Sequence, residues 1–238
     1  MAKRKSGQSR RRYRSGGSQW MYVTGGVAAL AIVGALILLG AVSRGDNESS
    51  NSGTVFVPTP RPATVARAGQ VFGDQAAPVT IVEYLDYQCP VCRRAGEQIM
   101  PPIEQEFIAT GKAKLEVRPI AILGDESSYA AQSAQCAEEQ GKFWEFNDLL
   151  FANQAGENKG AFSKDNMKRF ASALGLDTTA FNSCLDSGKY ANQVTQDTSN
   201  AKNSGVKGTP TIFVNGTKVD NSLEAVRAAI TSAPNGGS

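Results

Sequence analysis

Apolar and polar positions divide the chain into stretches of unlike character. Residues 20–42 form an apolar run of 23 positions dominated by Val, Ala, Ile, Leu and Gly. At about 1.5 Å per helical residue this run spans roughly 35 Å, enough for a hydrocarbon core of about 30 Å, and it predicts one transmembrane helix. A cleavable signal peptide is the rival, kept open by the small residues Ala41 and Ser43. Its apolar core would run only about 7 to 15 residues, so length favours an uncleaved anchor. Residues 43–70 show neither a helical nor a strand period, carry Asp46, Glu48, Pro58, Pro60 and Pro62, and predict a flexible linker. Residues 71–233 have the size of one domain, and 234–238 read as a flexible tail.

Within the domain, residues 79–84 (Val-Thr-Ile-Val-Glu-Tyr) are β-rich and apolar enough for a buried strand. A helix follows over 90–109, kinked or interrupted at Pro101 and Pro102, where the backbone loses a hydrogen bond and the ring clashes with the preceding turn. Residues 114–120 predict a second strand. Helical periods then fill 126–140, 143–153, 163–174, 178–186 and 189–203, with Ser163 and Asp177 as N-caps. Two short β-rich runs, 211–214 and 217–219, flank Asn215-Gly216, a strong hairpin signal, and a last helix starts near Ser222. The order predicts an α/β sheet with a helical insertion at about 126–204.

Charge adds a direction. Seven basic residues (Lys3, Arg4, Lys5, Arg10, Arg11, Arg12, Arg14) and no acid occupy the first fourteen positions. The positive-inside rule keeps this arm, residues 1–19, in the cytoplasm and places the bulk of the chain outside the cell membrane. Ser9-Arg10-Arg11-Arg12-Tyr13 also partly resembles a twin-arginine export signal. The formal charge of +3 is the arm's +7 against −4 for the remainder, so the folded part offers no nucleic-acid surface. The absence of histidine excludes Ser-His-Asp and Cys-His hydrolysis and removes the commonest zinc ligand. Four cysteines outside the cytoplasm are compatible with disulfides.

The candidate chemistry lies in Cys89-Pro90-Val91-Cys92, between the first strand and the first helix. A thiol at a helix N-terminus meets unpaired amide groups that favour the thiolate, and Pro90 suits the first helical position. Such a C-x-x-C reads first as redox chemistry, with a static disulfide or a zinc site as the alternatives.

Three ordered segments resemble the DsbA-like branch of the thioredoxin superfamily, the extracytoplasmic thiol-disulfide oxidoreductases. They are Val82-Glu83-Tyr84-Leu85-Asp86-Tyr87-Gln88-Cys89-Pro90-Val91-Cys92, Gly141-Lys142-Phe143-Trp144-Glu145-Phe146, and Val206-Lys207-Gly208-Thr209-Pro210-Thr211-Ile212-Phe213-Val214-Asn215-Gly216. The resemblance implies a thioredoxin-like fold with a helical insertion. It assigns Cys89 as the reachable nucleophile, Cys92 as the resolving thiol, and Thr209-Pro210 as a cis-proline loop presenting backbone groups to an extended substrate. Glu83 matches a buried acid that relays the proton of the resolving cysteine, against the plain reading of a surface glutamate on an edge strand. Cys136 and Cys184 match a structural bridge, a second redox pair being the other reading.

Val91 stands where the best-known pattern has histidine, and its side chain donates no hydrogen bond to the Cys89 sulfur, which leaves the direction of electron flow open. With the apolar run as anchor and no dimerisation domain ahead of the catalytic one, a membrane-anchored monomer is expected, without cofactor or metal. It would oxidise cysteines of exported proteins and be reoxidised by a quinone-linked membrane partner. A reductase or isomerase, or a noncatalytic binding module of the same fold, are the alternatives.

Overall fold

The computed structural model describes residues 53–233. The apolar run 79–85 becomes strand β3 (Val79–Leu85) at the heart of a sheet. β3 lies parallel to β4 (Ala113–Pro119), with Ile81 opposite Leu115, and antiparallel to β5 (Thr211–Val214), with Glu83 opposite Ile212. With neighbours on both edges and layers on both faces, Ile81, Leu85, Leu115 and Ile212 are buried, which is why β3 reads as a nearly continuous apolar stretch. The short strands β1 (Arg67–Ala68), β2 (Val71–Phe72) and β6 (Thr217–Val219) complete a sheet of order β1-β2-β4-β3-β5-β6. Asn215 and Gly216 both take positive φ, 46° and 80°, as a tight hairpin between β5 and β6 requires.

Helix α1 (Pro90–Gln98) ends sooner than the expected 90–109. Pro101 and Pro102 have no amide hydrogens for the carbonyls one turn back, and the chain continues as α2 (Met100–Ile103) and a π-helical turn (Glu104–Ile108) closed by Ala109 N donating to Glu104 O at 2.8 Å. The helical insertion holds α3 (Asp125–Glu138), α4 (Phe143–Ala152), α5 (Lys164–Ala173), α6 (Thr178–Asp186) and α7 (Ala191–Asn203). Its N-caps fall where expected. Ser163 Oγ accepts from Asn166 N, and Asp177 Oδ1 accepts from Thr179 N and Ala180 N. Cys136 and Cys184 form a disulfide that ties α3 to α6. Helix α8 (Leu223–Ser232) closes the fold, capped by Ser222.

One boundary moves. Residues 54–70, expected as part of a flexible linker, lie against the domain. Asn153 takes both main-chain groups of Phe56, and Arg61 is sandwiched in ion pairs with Asp148 and Glu104. Its guanidinium carbon stands 4.7 Å from the centre of the Trp144 ring and 5.1 Å from that of Phe72. Side-chain contacts hold the first part of this strap and a two-residue backbone pairing of β1 with β2 holds its end, so it has no hydrophobic period to read. The predicted transmembrane helix at 20–42, the basic arm 1–19 and the tail 234–238 lie outside the described residues. Among the described residues no helix is long and apolar enough to cross a membrane.

Candidate active site

The site is assembled where β3 hands over to α1. Asp86, the first residue after β3, is fully buried, and its carboxylate accepts four hydrogen bonds. Gln88 N and Ser127 Oγ reach Oδ1 at 2.9 and 2.6 Å, and Ile122 N and Leu123 N reach Oδ2 at 2.9 and 3.2 Å. Its main-chain oxygen takes the amide of Cys89 at 2.9 Å. Gln88, also buried, donates to Ser127 Oγ and to Leu123 O. Gln154 Nε2, just beyond α4, donates to the carbonyls of Tyr87 and Cys89. A turn pinned at so many points delivers Cys89 to the N-cap of α1, with Pro90 as the first helical residue.

The two thiols of this turn have opposite tendencies. Cys89 is pulled down to about 6, first by a hydrogen bond from the Cys92 side chain, then against burial by the Thr209 side chain and by the backbone amides of Cys92 and Val91. Burial pushes the Cys92 thiol up, as does giving its proton to Cys89. Cys92 is 1% exposed and Cys89 6%, so the first sulfur is the more reachable, by a narrow margin. Val91 between them is exposed at 40%. On the other side stands the Thr209-Pro210 loop, its peptide bond cis, with Thr209 O 3.3 Å from Cys89 Sγ. That loop enters β5, so the sheet fixes the distance between sulfur and carbonyl.

Glu83 occupies the central strand β3 and is 3% exposed, which rules out a surface glutamate on an edge strand. Burial raises its carboxyl to about 8; Arg61 opposes the shift and Glu104 adds to it. Glu83, Cys92, Arg61, Glu104, Asp148 and Trp144 share one cavity of about 300 Å³. The structure thus gathers Glu83, Cys89, Pro90, Val91, Cys92, Thr209 and Pro210 around one point and leaves Cys136 and Cys184 apart, bonded to each other. That bond rules out a zinc site made of all four cysteines, and no cluster of three or more metal-ligating acids and thiols exists among the described residues. Sequence reading missed Arg61, Asp86, Gln88, Glu104, Asp148 and Gln154. Of these only Asp86 carried a signal, an acid two residues before Gln88 able to close an Asx turn.

Chemically the arrangement offers a thiol lowered to about 6, a more deeply buried second thiol, a buried acid lining the same cavity as the second, and a backbone edge for an extended chain. Comparisons agree with this content. A family model described as thioredoxin matches residues 66–232. The Na(+)/H(+) antiporter NhaA 3 of Salinispora tropica is 36% identical over 167 residues, 68% of this chain. The chain spans about a quarter (24%) of the length of that antiporter. Disulfide bond formation protein D of Bacillus subtilis is 30% identical over 154 residues, covering 63% of this chain and 69% of that protein. Among solved structures, oxidised BdbD from Bacillus subtilis superposes with a TM-score of 0.64 at 26% identity, over 68% of this chain and 91% of the other.

Proposed function

Because the chain belongs to the thioredoxin family, in its DsbA-like thiol-disulfide oxidoreductase branch, we propose that it catalyses dithiol-disulfide exchange through Cys89 and Cys92 and works as an oxidase of exported proteins. One observation carries the reading. Cys89, at the N-terminus of α1 and lowered to about 6, is largely thiolate at neutral pH, while Cys92 three residues on keeps its proton.

In the oxidising direction a substrate thiolate attacks Cys89 Sγ of the Cys89–Cys92 disulfide, and Cys92 leaves with the electron pair. A second substrate thiolate then attacks the substrate sulfur of the mixed disulfide and releases Cys89 as a thiolate. The substrate leaves with a disulfide and the enzyme holds the two electrons. A stabilised Cys89 thiolate favours this direction, since it lowers the free energy of the reduced enzyme. The Thr209 carbonyl, beside the reacting sulfur, aligns the substrate as an added strand. Reductase chemistry is the second reading, favoured by Val91, which gives the thiolate no side-chain hydrogen bond.

The apolar run 20–42 and the basic arm support a single-pass anchor with a cytoplasmic N-terminus and an extracytoplasmic domain, reoxidised by a quinone-linked membrane partner. A membrane-impermeant maleimide applied to intact, reduced cells should label Cys89; labelling only after lysis would place the domain inside. The exchange claim is tested by turnover of a scrambled-disulfide protein. Cys89→Ser should abolish it; an unchanged rate would remove Cys89 from the chemistry, and none in the wild type would leave a binding module.

A further inference from the structure

Exchange through Cys92 requires a proton to come and go inside the protein, and the charges around Glu83 are unbalanced in a telling way. Arg61 faces three carboxyl groups, Glu83, Glu104 and Asp148, in one cavity, whose other cation, Arg93, pairs with Glu97 at 3.8 Å. Arg61 donates from Nε and Nη2 to the two oxygens of Asp148, at 2.8 and 2.9 Å, and from Nη1 to Glu104 Oε1. Asp148 also accepts from Asn147, which accepts from the hydroxyl of Tyr87, so the strap is wired to the turn that precedes Cys89. If all three carboxyl groups were ionised, the cavity would carry two uncompensated negative charges; a proton on Glu83 leaves one. The remaining titratable or charged groups of the cavity are Cys92, Arg93 and Glu97, all from α1, while Leu115 and Val117 from β4 are apolar.

We propose that Arg61, supplied by the strap ahead of the sheet, is a positioning residue for disulfide exchange: together with Glu104 it sets how readily Glu83 passes its proton to Cys92 and recovers it. The proposal rests on Cys89 and Cys92 being an exchange pair. When substrate attack on Cys89 breaks the Cys89–Cys92 bond, the electron pair leaves on Cys92 as a thiolate. The Glu83 carboxyl proton moves to that sulfur, and the resulting carboxylate is created opposite a fixed guanidinium. In the reverse direction the Glu83 carboxylate takes the Cys92 proton, and the Cys92 thiolate attacks Cys89 Sγ and expels the substrate thiolate. Arg61 stabilises the ionised form of Glu83 and Glu104 destabilises it, as their opposite effects on its proton affinity indicate.

The test follows the single-turnover reaction of the reduced full-length protein with a fluorescent peptide disulfide between pH 6 and 10, where release of the peptide reports attack by Cys92. Arg61→Gln should move the midpoint of the release rate up by about one pH unit, a modest Coulombic effect at an effective dielectric near 20. Glu104→Gln should move it down, and Arg61→Lys should restore the wild-type profile. In a Glu83→Gln background neither substitution should shift the midpoint. Shifts in the same direction for Arg61→Gln and Glu104→Gln, or shifts that persist without Glu83, would overturn the proposal. If Arg61→Gln does not fold, the sign of the near-isosteric Glu104→Gln shift decides it. Failure of the wild type to release peptide by a Cys92-dependent route would instead sink the exchange reading.

Discussion

Cys89 caps the helix in which Cys92 lies three residues on, yet one is acidic for a thiol and the other resists ionisation. The difference comes from geometry. Cys89 collects amide and thiol hydrogens at the open end of α1, whereas Cys92, one turn in, is walled off from water. Glu83 shows the same force on a carboxyl group, raised from 4.5 to about 8 chiefly by burial. The folded chain therefore holds a proton that the unfolded chain loses near pH 4.5. Stability linked to this group is full at low pH and is lost as pH rises toward and through 8. Glu83→Gln, which cannot ionise, should match the wild type near pH 4 and exceed it by on the order of 4 kcal/mol at pH 9, read by denaturant unfolding at both pH values. A constant difference across that range would mean that Glu83 is not buried as an acid. The cysteines, the proline and Glu83 were legible because their types and spacings carry chemistry. Arg61 was not, and Asp86 showed only its local Asx turn, since what makes them matter is the partners that folding brings from 36 to 87 residues away.

The elements follow from local signals where those signals are local in cause. The strand β3, the Asn215-Gly216 hairpin and the caps at Ser163 and Asp177 stand where period and turn chemistry put them. The first helix is interrupted near Pro101 and Pro102, as their missing amide hydrogens lead one to expect, so α1 ends at Gln98 and a π-helical turn follows α2. The strap was misjudged because proline and polar composition look the same in a free linker and in a segment held by ion pairs. Helices α3 and α6 are joined by the Cys136–Cys184 disulfide, which closes a separation of 48 residues. Replacing both cysteines by Ala should lower stability by up to about 4 kcal/mol on loop-closure entropy and leave exchange turnover unchanged. Calorimetry and a turnover assay on the same sample check both halves. Lost turnover at full stability would make the bond a second redox pair.

At the scale of the whole molecule, the sheet presents the two sides of the exchange reaction to each other. β3 carries the turn to Cys89, and the loop entering β5 carries Thr209 and Pro210, so the parallel and antiparallel neighbours of one central strand fix the active geometry. The insertion covers that site from one side with α3, α4 and Gln154, and the strap lines the cavity that Cys92 shares with Glu83. This architecture was readable from the order of its elements, while the charge network joining strap, insertion and sheet required three dimensions. The direction of electron flow is a property of this assembled environment. It is measured by the equilibrium reduction potential of the Cys89/Cys92 pair against glutathione. An oxidase with a stabilised Cys89 thiolate should lie nearer to about −120 mV than to about −270 mV, and a value at or below the latter, typical of thioredoxin, would contradict the account.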